Sequence, residues 1–325
     1  MKSQRRTLIT LFTLLISVLL STQLVFADRE PGGPKDPNTS TGGFVVDDLT
    51  GVLTPTDLGD SLAGPGITIS TVTYTGADVA AGGFSGGAGI IGFDTGVVLG
   101  SGQVGDVIGP NSSDNISTSN GTPGDADLDA LSGFTTFDAA VLEIDFIPNG
   151  ASVFFRYVFS SEEYNEFVNT QFNDAFAFYV NGVNCAVVDG NPITINTINN
   201  GNPFGSMPNS NPGLYINNDC NDGGCPHDTE MDGYTTVLTC GAVVTPNVEN
   251  TLKLAIADAS DDIYDANVFI EGGSLTTVPT DVSLSAFGTD NGTTSPLIWL
   301  ATLPALLVGL AIILRRRTTA AASGK

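Results

Sequence analysis

Val153-Phe154-Phe155-Arg156-Tyr157-Val158-Phe159 carries large apolar side chains at alternate positions, and Ala175-Phe176-Ala177-Phe178-Tyr179-Val180 repeats the pattern. A period of two sends successive side chains to opposite faces of an extended chain, so both stretches read as strands with one face inward. Leu252, Leu254 and Ile256 mark a third strand. Asn149-Gly150 and Asn181-Gly182 separate such runs, and Asn-Gly suits the positive-φ pair of a two-residue turn, so a hairpin is expected at each. Further strands are expected at residues 67–74, 96–99, 140–146, 193–198, 235–238 and 268–271. Residues 154–179 hold ten Phe or Tyr, a density that marks the centre of a core. Helix signals are few. Thr54 caps a segment begun by Pro55 and Asp57, which predicts a short helix to Leu62. Ser161-Glu162-Glu163-Tyr164-Asn165-Glu166-Phe167 predicts one helical turn, with Ser160 or Ser161 as its cap. The expected fold is all-β: a single large β-sandwich, jelly-roll-like, with one or two short helices and a C-terminal transmembrane helix.

The ends of the chain address a membrane. Lys2, Arg5 and Arg6 precede an apolar run over residues 8–25 that closes on Val25-Phe26-Ala27, the pattern of a secretory signal peptide over residues 1–27. Residues 297–314 are uncharged and are followed by Arg315, Arg316 and Arg317. Eighteen residues at about 1.5 Å each nearly span a hydrocarbon core of about 30 Å, so this run is expected to cross the membrane. Residues 315–325 then form a cytoplasmic tail. Polar, Pro- and Gly-rich stretches read as a linker at 28–43 and a stalk at 277–296. Residues 44–276 form one domain. No Leu-Pro-x-Thr-Gly is present, so the sequence names no sorting enzyme and leaves the anchor's fate open.

The whole chain has 11 basic and 35 acidic residues, a net charge of −24. The exported part keeps only Arg29, Lys35, Arg156 and Lys253 against all 35 acids, a net charge of −31. That sign excludes a nucleic-acid partner, because phosphates are bound by Lys and Arg. It also puts the compact state under self-repulsion unless cations compensate.

Phe159-Ser160-Ser161-Glu162-Glu163-Tyr164-Asn165-Glu166-Phe167-Val168 and Phe172-Asn173-Asp174-Ala175-Phe176-Ala177-Phe178-Tyr179-Val180-Asn181-Gly182 resemble the signature of the choice-of-anchor L domain family. Gly92-Phe93-Asp94-Thr95-Gly96-Val97-Val98-Leu99, Asp125-Ala126-Asp127-Leu128-Asp129-Ala130-Leu131 and Leu254-Ala255-Ile256-Ala257-Asp258-Ala259-Ser260-Asp261 continue the resemblance in order. It covers nearly all of residues 44–275. It implies a bacterial surface protein with a variable C-terminal anchor, and brings no catalytic residues with it.

Acid clusters are the candidate metal sites. Asp125, Asp127 and Asp129 are spaced by two, as are Asp228, Glu230 and Asp232; Asp258, Asp261, Asp262 and Asp265 crowd one short stretch. Such spacing places carboxylates on one strand face or around an ion in a loop, and Ca²⁺ takes about six to eight oxygens. Neither spaced cluster has the closing Glu of an EF-hand. A fourth group, Glu162, Glu163 and Glu166 with Asp174 behind it, has Arg156 as an alternative partner for Glu162 or Glu163. Each cluster alone also reads as a solvated loop; the shortage of bases makes at least one Ca²⁺ site the expectation.

Four cysteines outside the cytoplasm imply two disulfides with three pairings open. Cys220–Cys225, closing a short turn, and Cys185–Cys240, joining two strands, are favoured. The rival is a zinc site from Cys220, Cys225 and His227, which lacks a fourth ligand of that kind. The single histidine leaves little for triad chemistry. The expected function is a surface-anchored extracellular binding or adhesion domain, not an enzyme. It would be stabilised by Ca²⁺ and meet a surface glycan or protein. The alternatives are a carbohydrate-active enzyme using acids near 162–166 or 258–265, and a structural coat protein.

Overall fold

The computed structural model describes residues 43–279. The expected signal peptide, most of the linker and stalk, the membrane segment and the tail lie outside them. Among the described residues no helix is long and apolar enough to cross a membrane.

In chain order the elements are β1 (Val45–Asp48), α1 (Pro55–Leu62), β2 (Ile67–Thr75), β3 (Ala81–Ser85), β4 (Thr95–Gly100), α2 (Ala126–Ser132), β5 (Thr136–Pro148), β6 (Ser152–Ser161), β7 (Ala175–Val180), β8 (Val183–Asn184), β9 (Val187–Val188), β10 (Asn191–Pro192), β11 (Tyr215–Asn217), β12 (Gly233–Thr235), β13 (Leu238–Val243), β14 (Asn250–Ala259) and β15 (Ala266–Glu271). One antiparallel sheet runs β1-β3-β4-β15-β6-β12-β11, with β13 also pairing β6. The other runs β2-β5-β14-β7-β8, and β9 and β10 pair separately.

Alternation in the sequence becomes the inner faces of the two sheets. Phe155 and Tyr157 on β6 meet Phe178 on β7 with ring centroids 5.2 and 5.0 Å apart, and Phe159 stacks on Phe176 at 4.8 Å. All five side chains are at most 1% exposed. Burial of each contributes about 1.5–3 kcal/mol, and the offset and edge-on ring geometries add to it. The sandwich expectation therefore holds.

Local signals were realised unevenly. Thr54 caps α1 as expected: its hydroxyl accepts the Asp57 amide, and the Asp57 carboxylate accepts the Thr54 amide. Asn181 and Gly182 take φ of 49° and 80° between paired Val180 and Val183, the expected tight hairpin. Asn149-Gly150 does not make a hairpin. β5 and β6 belong to different sheets, so the chain there passes between layers. Residues 193–198 are not a strand but a turn whose Ile193, Ile195 and Ile198 are buried. The expected strand at 235–238 is interrupted: Thr235 ends β12 and Leu238 opens β13, and the two pair with different halves of β6. Residues 162–167 form turns rather than a helix.

Two disulfides staple this architecture in the favoured pairing. Cys185 follows β8 and Cys240 lies on β13, so their bond, with Cα atoms 5.2 Å apart, ties one sheet to the other. Cys220–Cys225 closes the short turn. Both cysteines of the zinc alternative are thus oxidised, and His227 Nδ1 is engaged by the Tyr234 hydroxyl.

The sandwich has two unlike ends. The chain leaves at one of them, where Thr276 exchanges two 2.9 Å backbone hydrogen bonds with Phe154 near the start of β6. The other end lies beyond Ser161. Seven strand residues at about 3.3 Å each separate the two by roughly 23 Å.

Candidate functional site

The end beyond Ser161 gathers the close of β4, β6 and β14 and the start of β5, β7 and β15. The loops that join them carry most of the domain's buried charge. Ten acids are buried among the described residues: Asp106, Asp138, Glu162, Glu163, Asp174, Asp219, Glu230, Asp232, Asp258 and Asp265. Arg156 and Lys253 are the only Lys or Arg in the described stretch, and neither is at this end. Arg156 pairs with Glu271, not with Glu162 or Glu163.

The sequence clusters fare differently. Asp125, Asp127 and Asp129 are not an ion site. Asp125 caps α2, accepting the amides of Asp127 at 3.0 Å and Leu128 at 3.2 Å. Lys253 Nζ reaches Asp125 and Asp127, and Asp129 accepts the Thr136 amide at 2.6 Å. Burial alone would lower the Lys253 ammonium, but the two carboxylates outweigh it and raise it. Of Asp228, Glu230 and Asp232, only the last two are buried. Glu230 accepts the Ser112 amide at 3.0 Å, and Asp232 Oδ1 accepts Asn111 Nδ2 at 2.7 Å. In the third cluster Asp258 and Asp265 turn inward, while Asp261 is half-buried and Asp262 is exposed and bonded to Ser119.

Two groups result. In the first, Glu163 Oε2 accepts the Asp174 amide at 3.3 Å, and Asp174 Oδ1 accepts the Ala259 amide at 3.2 Å, beside Asp258. Asp174 Oδ2 and both oxygens of Asp258 have no donor; the Ser101 hydroxyl comes near Asp258 without reaching hydrogen-bond geometry. In the second group β15 lies between β4 and β6 and sets Asp265 and Asn267 beside Glu162 and Asp106. The Glu162 amide donates to the Asp265 carbonyl at 3.0 Å. Asp265 accepts the Thr118 amide at 3.0 Å, and Thr118 Oγ1 donates to Asp106 at 3.2 Å. Glu162 Oε2 and Asn267 Oδ1 have no donor.

Desolvation is the largest cause that holds Glu162, Glu163, Asp174, Asp232, Asp258 and Asp265 well above the usual carboxylate range. Their neighbours add to it: Asp232, Glu230 and Asp265 act on Glu162, and Asp174, Asp265 and Asp138 on Asp258. Amide hydrogen bonds pull the other way at Asp265 and Glu163 without cancelling burial. Among the described residues, no group of three or more His, Cys, Asp or Glu side chains is placed to hold a metal ion.

The sequence clusters leave out Asp138, Asp219 and Asp106. Asp138 accepts the amides of Asn120 at 2.8 Å and Thr122 at 2.6 Å. It is a lone acid in the apolar run that opens β5, which is the signal that would have found it. Asp219 Oδ1 binds two turn amides, while its Oδ2 has no donor.

A two-sheet domain stapled by disulfides, with its acids packed into loops at one end, is the build of an exported β-sandwich. The family model of the choice-of-anchor L domain matches residues 49–276, and the chain belongs to that family. Membership makes it a surface-associated bacterial protein. No curated protein and no solved structure matches it.

Proposed function

We propose that the protein is a surface-displayed binding or adhesion module without catalytic activity, and that it meets a surface glycan or protein through the loop-built end of its sandwich. The observation that carries this reading is the placement of the loops. Residues 101–123, 162–174 and 218–232 and the 260–265 turn converge on the end opposite the point where the chain leaves. Loops on a rigid scaffold are where binding surfaces are usually built. Burial also weighs against the glycosidase alternative: Glu163 and Asp258, each 1% exposed, are closed to a sugar chain.

Deleting the gene and restoring it on a plasmid tests the reading. Attachment of cells to one another or to a glycan- or protein-coated surface should fall in the deletion strain and return on complementation. Equal attachment in all three strains overturns the reading.

A further inference from the structure

Between the turn at 104–107, the end of β6 and the start of β15 lies a cavity of about 10 Å³. It is lined by five oxygen-bearing side chains: Gln103, Asp106, Glu162, Asp265 and Asn267. A hole of that size holds one water-sized particle. We propose that it is a binding site for one Ca²⁺ ion, with Glu162, Asp265, Asp106 and Asn267 as its ligands.

Three observations converge on it. Glu162 is 4% and Asn267 5% exposed, yet Glu162 Oε2 and Asn267 Oδ1 have no hydrogen-bond donor. A buried oxygen without a donor costs about 1–3 kcal/mol, and more when charged, unless something else satisfies it. Second, three carboxylates face this cavity, while the only two Lys or Arg of the described stretch are committed elsewhere, Arg156 to Glu271 and Lys253 to Asp125 and Asp127. A cation from solution would offset the charge of Glu162 and Asp265. Third, Glu162, Asp265 and Asn267 stand at the ends of adjacent, hydrogen-bonded strands. Asn267 pairs with Gly100 on one side and Ser160 on the other, which fixes the backbone around the cavity.

The donor chemistry selects the ion. Every lining donor is an oxygen; the four cysteines are in disulfides and His227 is held by Tyr234. That set suits a hard cation rather than zinc or copper. Among the described residues no three His, Cys, Asp or Glu side chains are placed to hold an ion by themselves, so an ion here has to draw on amide and carbonyl oxygens as well. This favours Ca²⁺, which takes about six to eight oxygens in adaptable geometry and accepts amide, carbonyl and water ligands, over Mg²⁺ with its strict octahedron. The site goes beyond the binding reading and is independent of it, because an ion can brace this end whether or not the end meets a partner.

Terbium luminescence tests the site on the purified full chain after EDTA treatment. Tb³⁺ replaces Ca²⁺ at oxygen sites and is sensitised by nearby tyrosine. Tyr164 lies two residues beyond Glu162, and Tyr234 pairs with Ser160. Tyrosine-excited Tb³⁺ emission should appear, Ca²⁺ should displace it, and millimolar Ca²⁺ should raise Tm by several degrees in a manner that EDTA reverses. Glu162→Gln and Asp265→Asn should each weaken Tb³⁺ affinity by about tenfold or more. Both are isosteric and remove a buried charge, so the metal-free variants should keep a cooperative melt. Asp127→Asn, at the Lys253 pair, should bind as the parent does. Emission that Ca²⁺ cannot displace, no Tm shift, or unchanged affinity in both site variants overturns the proposal, and none of these results would touch the attachment experiment.

Discussion

Lys253 Nζ stands 2.7 Å from Asp125 Oδ2 and 2.7 Å from Asp127 Oδ2, so one lysine of β14 clamps the first turn of α2 onto the sheet. Its side chain is 17% exposed and that of Asp127 is 61% exposed, so water screens half of the arrangement. Lys253→Met should therefore lower stability by only about 1 kcal/mol in a urea melt. Asp125→Ala also loses the cap and should cost about 1 kcal/mol more. Neither should alter Ca²⁺ binding. A Ca²⁺ affinity that fell in Asp125→Ala would return this cluster to the list of ion sites.

The two disulfides should differ in weight. Chain-entropy bookkeeping for the closed loops gives about 4 kcal/mol for Cys185–Cys240, which spans 55 residues, and about 2 kcal/mol for Cys220–Cys225, which spans 5. The first also joins the two sheets. Replacing Cys185 and Cys240 by Ser should thus lower Tm more than replacing Cys220 and Cys225. The reverse order in thermal melts would show that the sheets hold together without their staple.

Acid should stabilise the metal-free protein, against the usual trend for proteins that lose native carboxylate pairs on acidification. Asp174 and Asp258 are raised well above the usual range in the folded state, so the folded chain binds more protons than the unfolded one. Glu163, Asp261 and Asp265 face Asp174, and Asp174, Asp265 and Asp138 face Asp258; among the described residues no base faces either. Their contribution to stability is full below an unfolded value of about 4 and is lost as pH rises through the folded values. In EDTA, Tm should be higher at pH 5 than at pH 8, and Asp258→Asn should shrink that difference. A Tm that rises with pH in EDTA, unchanged by Asp258→Asn, would show that these carboxylates are not protonated in the folded state.

How much of this was legible depends on how far apart in sequence the partners lie. The cap of α1 joins Thr54 to Asp57, and the Asn181-Gly182 hairpin joins Val180 to Val183. Local chemistry decides both, and both were read. Asn149-Gly150 is the same dipeptide, but which sheets β5 and β6 join is set by distant strands, β14 for one and β15 for the other. The spacing of Asp125, Asp127 and Asp129 fits an ion loop and a helix start alike. Gly133 at φ 79° closes α2, and with Leu128 buried it was the available sign of a helix. Lys253, 128 residues from Asp125 along the chain, settles the matter and has no local signature. The same holds for the cavity: Asp265 was within reach of the sequence as one of a crowd, but its meeting with Asp106 and Glu162 exists only once β15 lies between β4 and β6.

Gly102 offers the sharpest steric test of that cavity. A Cβ built on it would lie 1.6 Å from Asp265 Oδ2 and 2.1 Å from its Cγ. Alanine here must therefore push the Asp265 carboxylate away from the Thr118 amide it accepts, in a part of the structure too well packed to yield freely. Gly102→Ala should cost about 1–3 kcal/mol, as overpacking does, and should weaken Ca²⁺ binding through the displaced ligand. Gly105 lies three residues further on, with nothing within 4 Å of its added Cβ. Gly105→Ala should change stability by no more than about 0.5 kcal/mol and leave Ca²⁺ affinity as it was. If both substitutions lowered stability equally and neither moved Ca²⁺ affinity, Asp265 would be a packing residue rather than a ligand.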